Sequence, residues 1–251
     1  MKNIKGVFLI VLLGVITTLG YAQQKSQTTF VIVHGAWGGS WAFKKVDSLM
    51  TAHGALVYRP SLTGQGERVH LVSAEVGLTT HIDDVVNMIV FENLNDIVLV
   101  GHSYGGMVIT GVADRIPERI RKLIYLDALL PVDGESVFTA IPKNREGMRS
   151  MEKDGMIVPS WVKADQPFPK DVPQSVKTFS EEIDLKSPKL KDIVGVYILT
   201  VDEGKKPEDD TFYIFAERAK KRKWKYVEMV ADHNPQWSKA SELANLLETN
   251  Q

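Results

Sequence analysis

Ile97-Val98-Leu99-Val100-Gly101-His102-Ser103-Tyr104-Gly105-Gly106-Met107 is an apolar run that ends in Gly-x-Ser-x-Gly and passes directly into a segment able to form a helix. A serine hydroxyl becomes a useful nucleophile only when a base takes its proton and donors stabilise the charge on the attacked carbonyl. A tight strand-to-helix turn serves both needs, because it lifts the hydroxyl clear of the backbone and aims free N–H groups at the reacting centre. Gly101 and Gly105 make room for such a turn. The apolar residues before it and the apolar stretch Met107 to Ala113 after it supply the buried strand and buried helix that the turn requires.

Outward from this motif, apolar and β-branched runs recur at Phe30 to Val33, Ala55 to Tyr58, Leu123 to Leu126, Val194 to Val201 and Val227 to Val230. With Ile97 to Val100 they read as six strands. Between them, Ile82, Val85, Val86, Ile89 and Val90 follow the spacing of one buried helix face, and Thr80 with Asp83 suits a helix start. Strands alternating with helices predict an α/β protein with a mostly parallel sheet covered on both faces. From Pro131 to about Lys191 no strand is evident, and Met148, Met151, Met156, Trp161, Phe168 and Phe179 are scattered among prolines, glycines and charges. So long a segment is expected to be a largely helical lid inserted over the sheet edge, with an apolar pocket beneath it.

A serine hydrolase also needs a histidine base and an acid that holds it. Of the six histidines, His233 lies just beyond the last predicted strand, before a helix expected from Ser238 to Leu247. Residues beyond the C-terminal ends of parallel strands share one edge, so His233 can meet Ser103. The acid should come from the same edge. Asp202, after Tyr197 to Val201, is preferred, and Asp127, after Leu123 to Leu126, is its competitor; both keep the chain order Ser, Asp, His. Asp232 is expected to be a turn residue. His34-Gly35-Ala36-Trp37 closes the first strand, and the N–H groups of Ala36 and Tyr104 are the candidate oxyanion donors. His34 is expected to brace this loop, His102 to point away from the reacting centre, and His53, His70 and His81 to have no part in the chemistry.

These residues resemble the α/β-hydrolase superfamily, and within it the branch of plant salicylate-binding-type methyl esterases, hydroxynitrile lyases and small bacterial esterases. The resemblance runs over residues 29–248, through His34-Gly35-Ala36-Trp37 with Trp41, Leu62-Thr63-Gly64-Gln65-Gly66-Glu67-Arg68, Gly101 to Gly106 and Ala231-Asp232-His233. It implies an α/β-hydrolase fold with nucleophile, acid and base at Ser103, Asp202 and His233, and oxyanion donors at Ala36 and Tyr104. Thr200-Val201-Asp202-Glu203-Gly204 looks like the acid loop of the esterase branch. The lyases carry a lysine beside the catalytic histidine and a threonine in the oxyanion loop, where this chain has Asn234 and Ala36. The implied activity is hydrolysis of a small or medium apolar carboxylic ester through an acyl-enzyme, with no metal or organic cofactor. The alternatives are cofactor-free lyase or carbon-carbon bond chemistry at the same triad, or small-molecule binding without turnover.

Composition bounds the partners and the compartment. With 251 residues, 44% of them hydrophobic, the chain can bury one sizeable core. A net charge of −1 gives no reason to expect nucleic acid, and Lys220-Lys221-Arg222-Lys223 reads as a solvated helix end. The expected partner is a small-molecule ester. Lys2 and Lys5, the apolar stretch Gly6 to Gly20 and the small residues of Gly20-Tyr21-Ala22 have the order of a secretory leader. That stretch falls short of the roughly 20 residues that span a bilayer, so no stable anchor is expected after cleavage. The chain has no cysteine, which removes disulfides, thiolate metal sites and a cysteine nucleophile together. The expected layout is a leader at 1–22, a hydrolase core at 23–130 and 192–251, and a lid at 131–191, in a protein exported to the periplasm or the extracellular space.

Overall fold

A computed structural model describes residues 27–251. The expected leader lies outside the described residues. In chain order the elements are β1 (Thr29–Val33), α1 (Lys44–Ala52), β2 (Leu56–Tyr58), α2 (Leu78–Phe91), β3 (Ile97–His102), α3 (Gly105–Arg115) and β4 (Ile120–Leu126). The cap segment follows with α4 (Val137–Ala140), α5 (Pro142–Arg149), β5 (Glu152–Lys153), β6 (Met156–Ile157), β7 (Gln174–Ser175) and α6 (Lys177–Ser180). The chain then returns through β8 (Gly195–Val201), α7 (Tyr213–Lys221), β9 (Lys225–Val230), α8 (Pro235–Ser238) and α9 (Ala240–Thr249).

Six strands form one parallel sheet in the order β2-β1-β3-β4-β8-β9, as the six apolar runs predict. Alternation along each strand divides the core. Val31, Val33 and Leu99 face the side covered by α2, α3 and α7, whereas Phe30, Ile32, Val98 and Val100 face α1 and α9. Each fully buried aliphatic side chain contributes about 1.5–3 kcal/mol, so a central strand such as β3, buried along its whole length, anchors whatever follows it.

Several local expectations need correction. α2 starts at Leu78 with Gly77 as its N-cap, so Thr80 lies inside the helix and does not cap it. Ile82, Val85 and Ile89 are buried as expected, but Val90 is exposed. The last helix is broken into α8 and α9, with Lys239 at a non-helical φ of −138° between them. The cap, expected to be largely helical and without strands, also holds a small antiparallel sheet of β5, β6 and β7. Asp154 and Gly155, at φ of 52° and 75°, join β5 to β6 in a two-residue hairpin turn that requires left-handed backbone at both positions. The basic cluster caps the end of α7 in solvent, as expected.

Candidate active site

β3 delivers Ser103 on a sharp turn, with φ of 54° at a non-glycine residue. Such left-handed backbone costs about 1–2 kcal/mol, which the surrounding contacts must offset. They leave no alternative path. A Cβ on Gly101 would lie 2.7 Å from the Gly105 carbonyl oxygen, and one on Gly105 would lie 2.6 Å from that of Val33. The Ser103 carbonyl accepts N–H bonds from Gly106 and Leu129, so the elbow is tied to both α3 and the chain after β4.

His233 follows β9 in a turn built by Asp232, whose Oδ1 accepts the Asn234 N–H at 2.7 Å. Ser103 Oγ lies 3.0 Å from His233 Nε2, and Asp127 Oδ2 lies 2.6 Å from His233 Nδ1. With Nδ1–H donating to the carboxylate, Nε2 is left as the acceptor for the serine proton. Asp127, and not Asp202, is the carboxylate that meets His233. The reason is topological: β4 is the immediate neighbour of β3, so its end falls between Ser103 and the returning His233, whereas β8 is one strand further out. Asp127 is fully buried, and its second oxygen accepts the Thr200 N–H at 3.1 Å. Asp202 is exposed, and its backbone carbonyl accepts the Lys205 N–H.

Three side chains that sequence reasoning missed support this arrangement. Tyr197 donates to the Ala128 carbonyl at 2.7 Å and receives the Ala128 N–H at 3.2 Å, fixing the turn directly after Asp127. Asp210 accepts the Phe212 N–H at 2.6 Å, and the Phe212 ring stacks on His233 with centroids 5.0 Å apart. Burial, reinforced by the charge of Asp127, raises the Asp210 carboxyl above the usual aspartate range. Gln174 of β7 accepts the Trp37 N–H at 2.8 Å, and Trp37 returns its carbonyl to the Val172 N–H. The cap thereby clamps the loop that carries Ala36. Among the described residues, neither the Ala36 nor the Tyr104 N–H is engaged by a backbone acceptor, so both remain free to donate.

The other histidines are structural. Burial lowers His102 to about 3, with His233 adding to the effect, and lowers His34 and His81 to about 4. Each is therefore neutral, with its ring bonds sorted into donor and acceptor. His34 gives Nδ1–H to the Gly35 carbonyl and takes the Leu62 N–H on Nε2. His81 donates to the Thr63 carbonyl and accepts from Tyr104 Oη. His102 lines the cavity beside Ser103, and its Nε2–H holds the His233 carbonyl at 2.8 Å. His53 meets Glu248 at the surface. Among the described residues, no three His, Asp or Glu side chains converge as a metal site requires, and no helix is long and apolar enough to cross a membrane.

A cavity of about 410 Å³ opens over Ser103 and His233, walled by Ala36, Trp37, Phe43, Trp161 and Trp237, with Asp171 at its cap side. A parallel sheet, a serine elbow and a histidine returning from the last strand define a class. The chain belongs to the alpha/beta hydrolase family, whose pattern matches residues 30–246. It is 52% identical over 114 residues to the carbendazim hydrolyzing esterase of Nocardioides sp. (strain SG-4G), covering 45% of this chain and 47% of that one. It is 29% identical over 112 residues to methylesterase 2 of Arabidopsis thaliana, covering 44% and 43%. The chain thus spans less than half the length of these curated relatives. The fold is shared with an extracellular α/β-hydrolase from a Paenibacillus species, described as homologous to tobacco salicylic acid binding protein 2 (TM-score 0.73, 24% identity, 88% of this chain and 98% of that one).

Proposed function

We propose that the chain is a serine esterase that hydrolyses a small or medium ester of apolar body through an acyl-enzyme. The observation that carries this reading is the hydrogen-bonded chain from Asp127 through His233 to Ser103, at 2.6 and 3.0 Å, on the floor of an aromatic cavity. Ser103 Oγ attacks the ester carbonyl as His233 Nε2 takes its proton. The Ala36 and Tyr104 N–H groups hold the oxyanion, and His233 then gives the proton to the departing alcohol. Water, deprotonated by the same nitrogen, cleaves the acyl-enzyme and restores the serine. Asp127 keeps the proton on Nδ1 and stabilises the imidazolium that forms. The names of the esterase and methylesterase relatives favour the same chemistry.

The test is turnover of p-nitrophenyl and methyl esters alongside cyanohydrins, with Ser103→Ala as control. Ester hydrolysis that vanishes in the variant is the expected result; cyanohydrin cleavage without ester hydrolysis contradicts it. The proposal includes export, with cleavage after residue 22. Mass spectrometry of the mature N-terminus checks this, and Met1 retained on secreted or periplasmic protein contradicts it.

A further inference from the structure

We propose that the cap side of this cavity is an ammonium subsite, so that the preferred ester carries a protonated or quaternary amine on an aromatic or apolar body. The inference deepens the esterase reading above and rests on it for the word ester. Three indoles, Trp37, Trp161 and Trp237, line the cavity, and among the described residues no lysine or arginine does. Trp37 and Trp161 meet edge to face, with centroids 5.5 Å apart and planes at 88°, which makes a two-walled aromatic corner. Faces of indole attract cations through the ring quadrupole.

Asp171 stands at that corner. Its Oδ2 accepts Trp161 Nε1–H at 3.1 Å, while its Oδ1 is turned toward Gly38 of the oxyanion loop. The neighbouring Lys170 does not neutralise it, because that ammonium is held by the Lys163 and Ala164 carbonyls and lies over Phe168. A second acceptor belongs to a residue of the same cavity. Gln236 lines the cavity and is only 2% exposed, its Nε2 donates to Asn234, and its Oε1 has no partner among the described residues. A buried oxygen without a donor is costly, so a ligand able to donate is favoured there. Burial raises the Asp171 carboxyl above its usual range, the mark of a negative charge short of compensation. His34 and His102, which also line the wall, are neutral and supply no positive charge. An anionic ester is excluded by the same field that attracts a cation.

Binding of three isosteric esters to the Ser103→Ala protein, read by tryptophan fluorescence, tests the subsite separately from turnover. The probes are methyl para-(aminomethyl)benzoate, methyl para-ethylbenzoate and monomethyl terephthalate. The cationic ester should bind about tenfold tighter than the neutral one, and the anionic ester weakest. Adding Asp171→Asn, which keeps an acceptor for Trp161, should bring the cationic-to-neutral ratio to within about twofold, whereas Asp171→Glu should retain most of the preference. Thermal midpoints verify that each variant is folded. Equal binding of the cationic and neutral esters, or a preference that survives Asp171→Asn, overturns the subsite. Hydrolysis of the neutral ester by the unaltered protein reports on the esterase reading alone, so the two can fail independently.

Discussion

The sheet edge and the cap meet at one cavity but hold their side chains by different means. On the edge, Asp127 is fully buried and bonded through both oxygens, His233 is sandwiched between Phe212 and His102, and Ser103 has only one backbone path. On the cap side, Trp161 is 49% exposed, and Asp171 is fixed by one hydrogen bond. Groups that must meet within a few tenths of an ångström stand on strand ends in fixed register, and groups that read the substrate stand on loops. Changes at the edge should therefore abolish rate, and changes in the cap should alter selectivity or affinity.

The largest expected effect is at the nucleophile: Ser103→Ala should lower ester kcat roughly 10⁶-fold with the thermal midpoint nearly unchanged. Next, Asp127→Asn should cost roughly 10⁴-fold in kcat by freeing the wrong imidazole tautomer. Asp202→Asn, at an exposed position, should stay within about twofold; comparable losses in the two variants would erase the distinction between the strand ends.

The third expectation concerns acid. His34, His81 and His102 titrate at about 4, 4 and 3 when folded, below the ordinary value of 6.5. Between these limits the unfolded chain binds more protons. Stability is thus fully present above 6.5 and is lost as pH falls through 4, at up to about 1.4 kcal/mol per pH unit for each histidine. Urea midpoints from pH 7 to 4.5 check this, and a flat profile would contradict burial of the three rings. A smaller effect is expected where edge and cap are joined. Gln174→Met removes the clamp on the Trp37 N–H, and should lower kcat roughly tenfold with KM little changed. Smallest, Trp161→Ala should raise KM a few-fold and leave kcat near its original value, since it widens one cavity wall and takes no part in the hydrogen-bonded chain from Asp127 to Ser103.

This division also explains what was legible in the sequence. All six sheet strands and the placing of Ser103 and His233 at one edge follow from apolar runs and chain order, because a parallel sheet puts every strand's C-terminal end on one side. Asp127 and Asp202 both end strands and both precede the histidine, so order could not separate them. The residues after them could: Ala128-Leu129-Leu130 continue into the core, while Glu203-Gly204-Lys205-Lys206 lead to solvent. In the cap, Asp154-Gly155 carried a hairpin signal, but strands of two residues are too short to show alternation. The Trp37–Gln174 pairing carries no periodic signal and depends on where the loops cross, whereas Asp210–Phe212 is a local aspartate turn that leaves the stacking of Phe212 on His233 unread.

The central claim is that Ser103 is activated by His233 held by Asp127. Labelling by a fluorophosphonate, read as adduct mass on the Ser103 peptide, tests it most directly because it needs no knowledge of the natural ester. The unaltered protein and Asp202→Asn should label rapidly at Ser103, and Asp127→Asn and His233→Ala should label at least about 100-fold more slowly. Labelling of Asp127→Asn at the unaltered rate, with labelling lost in Asp202→Asn, would contradict it.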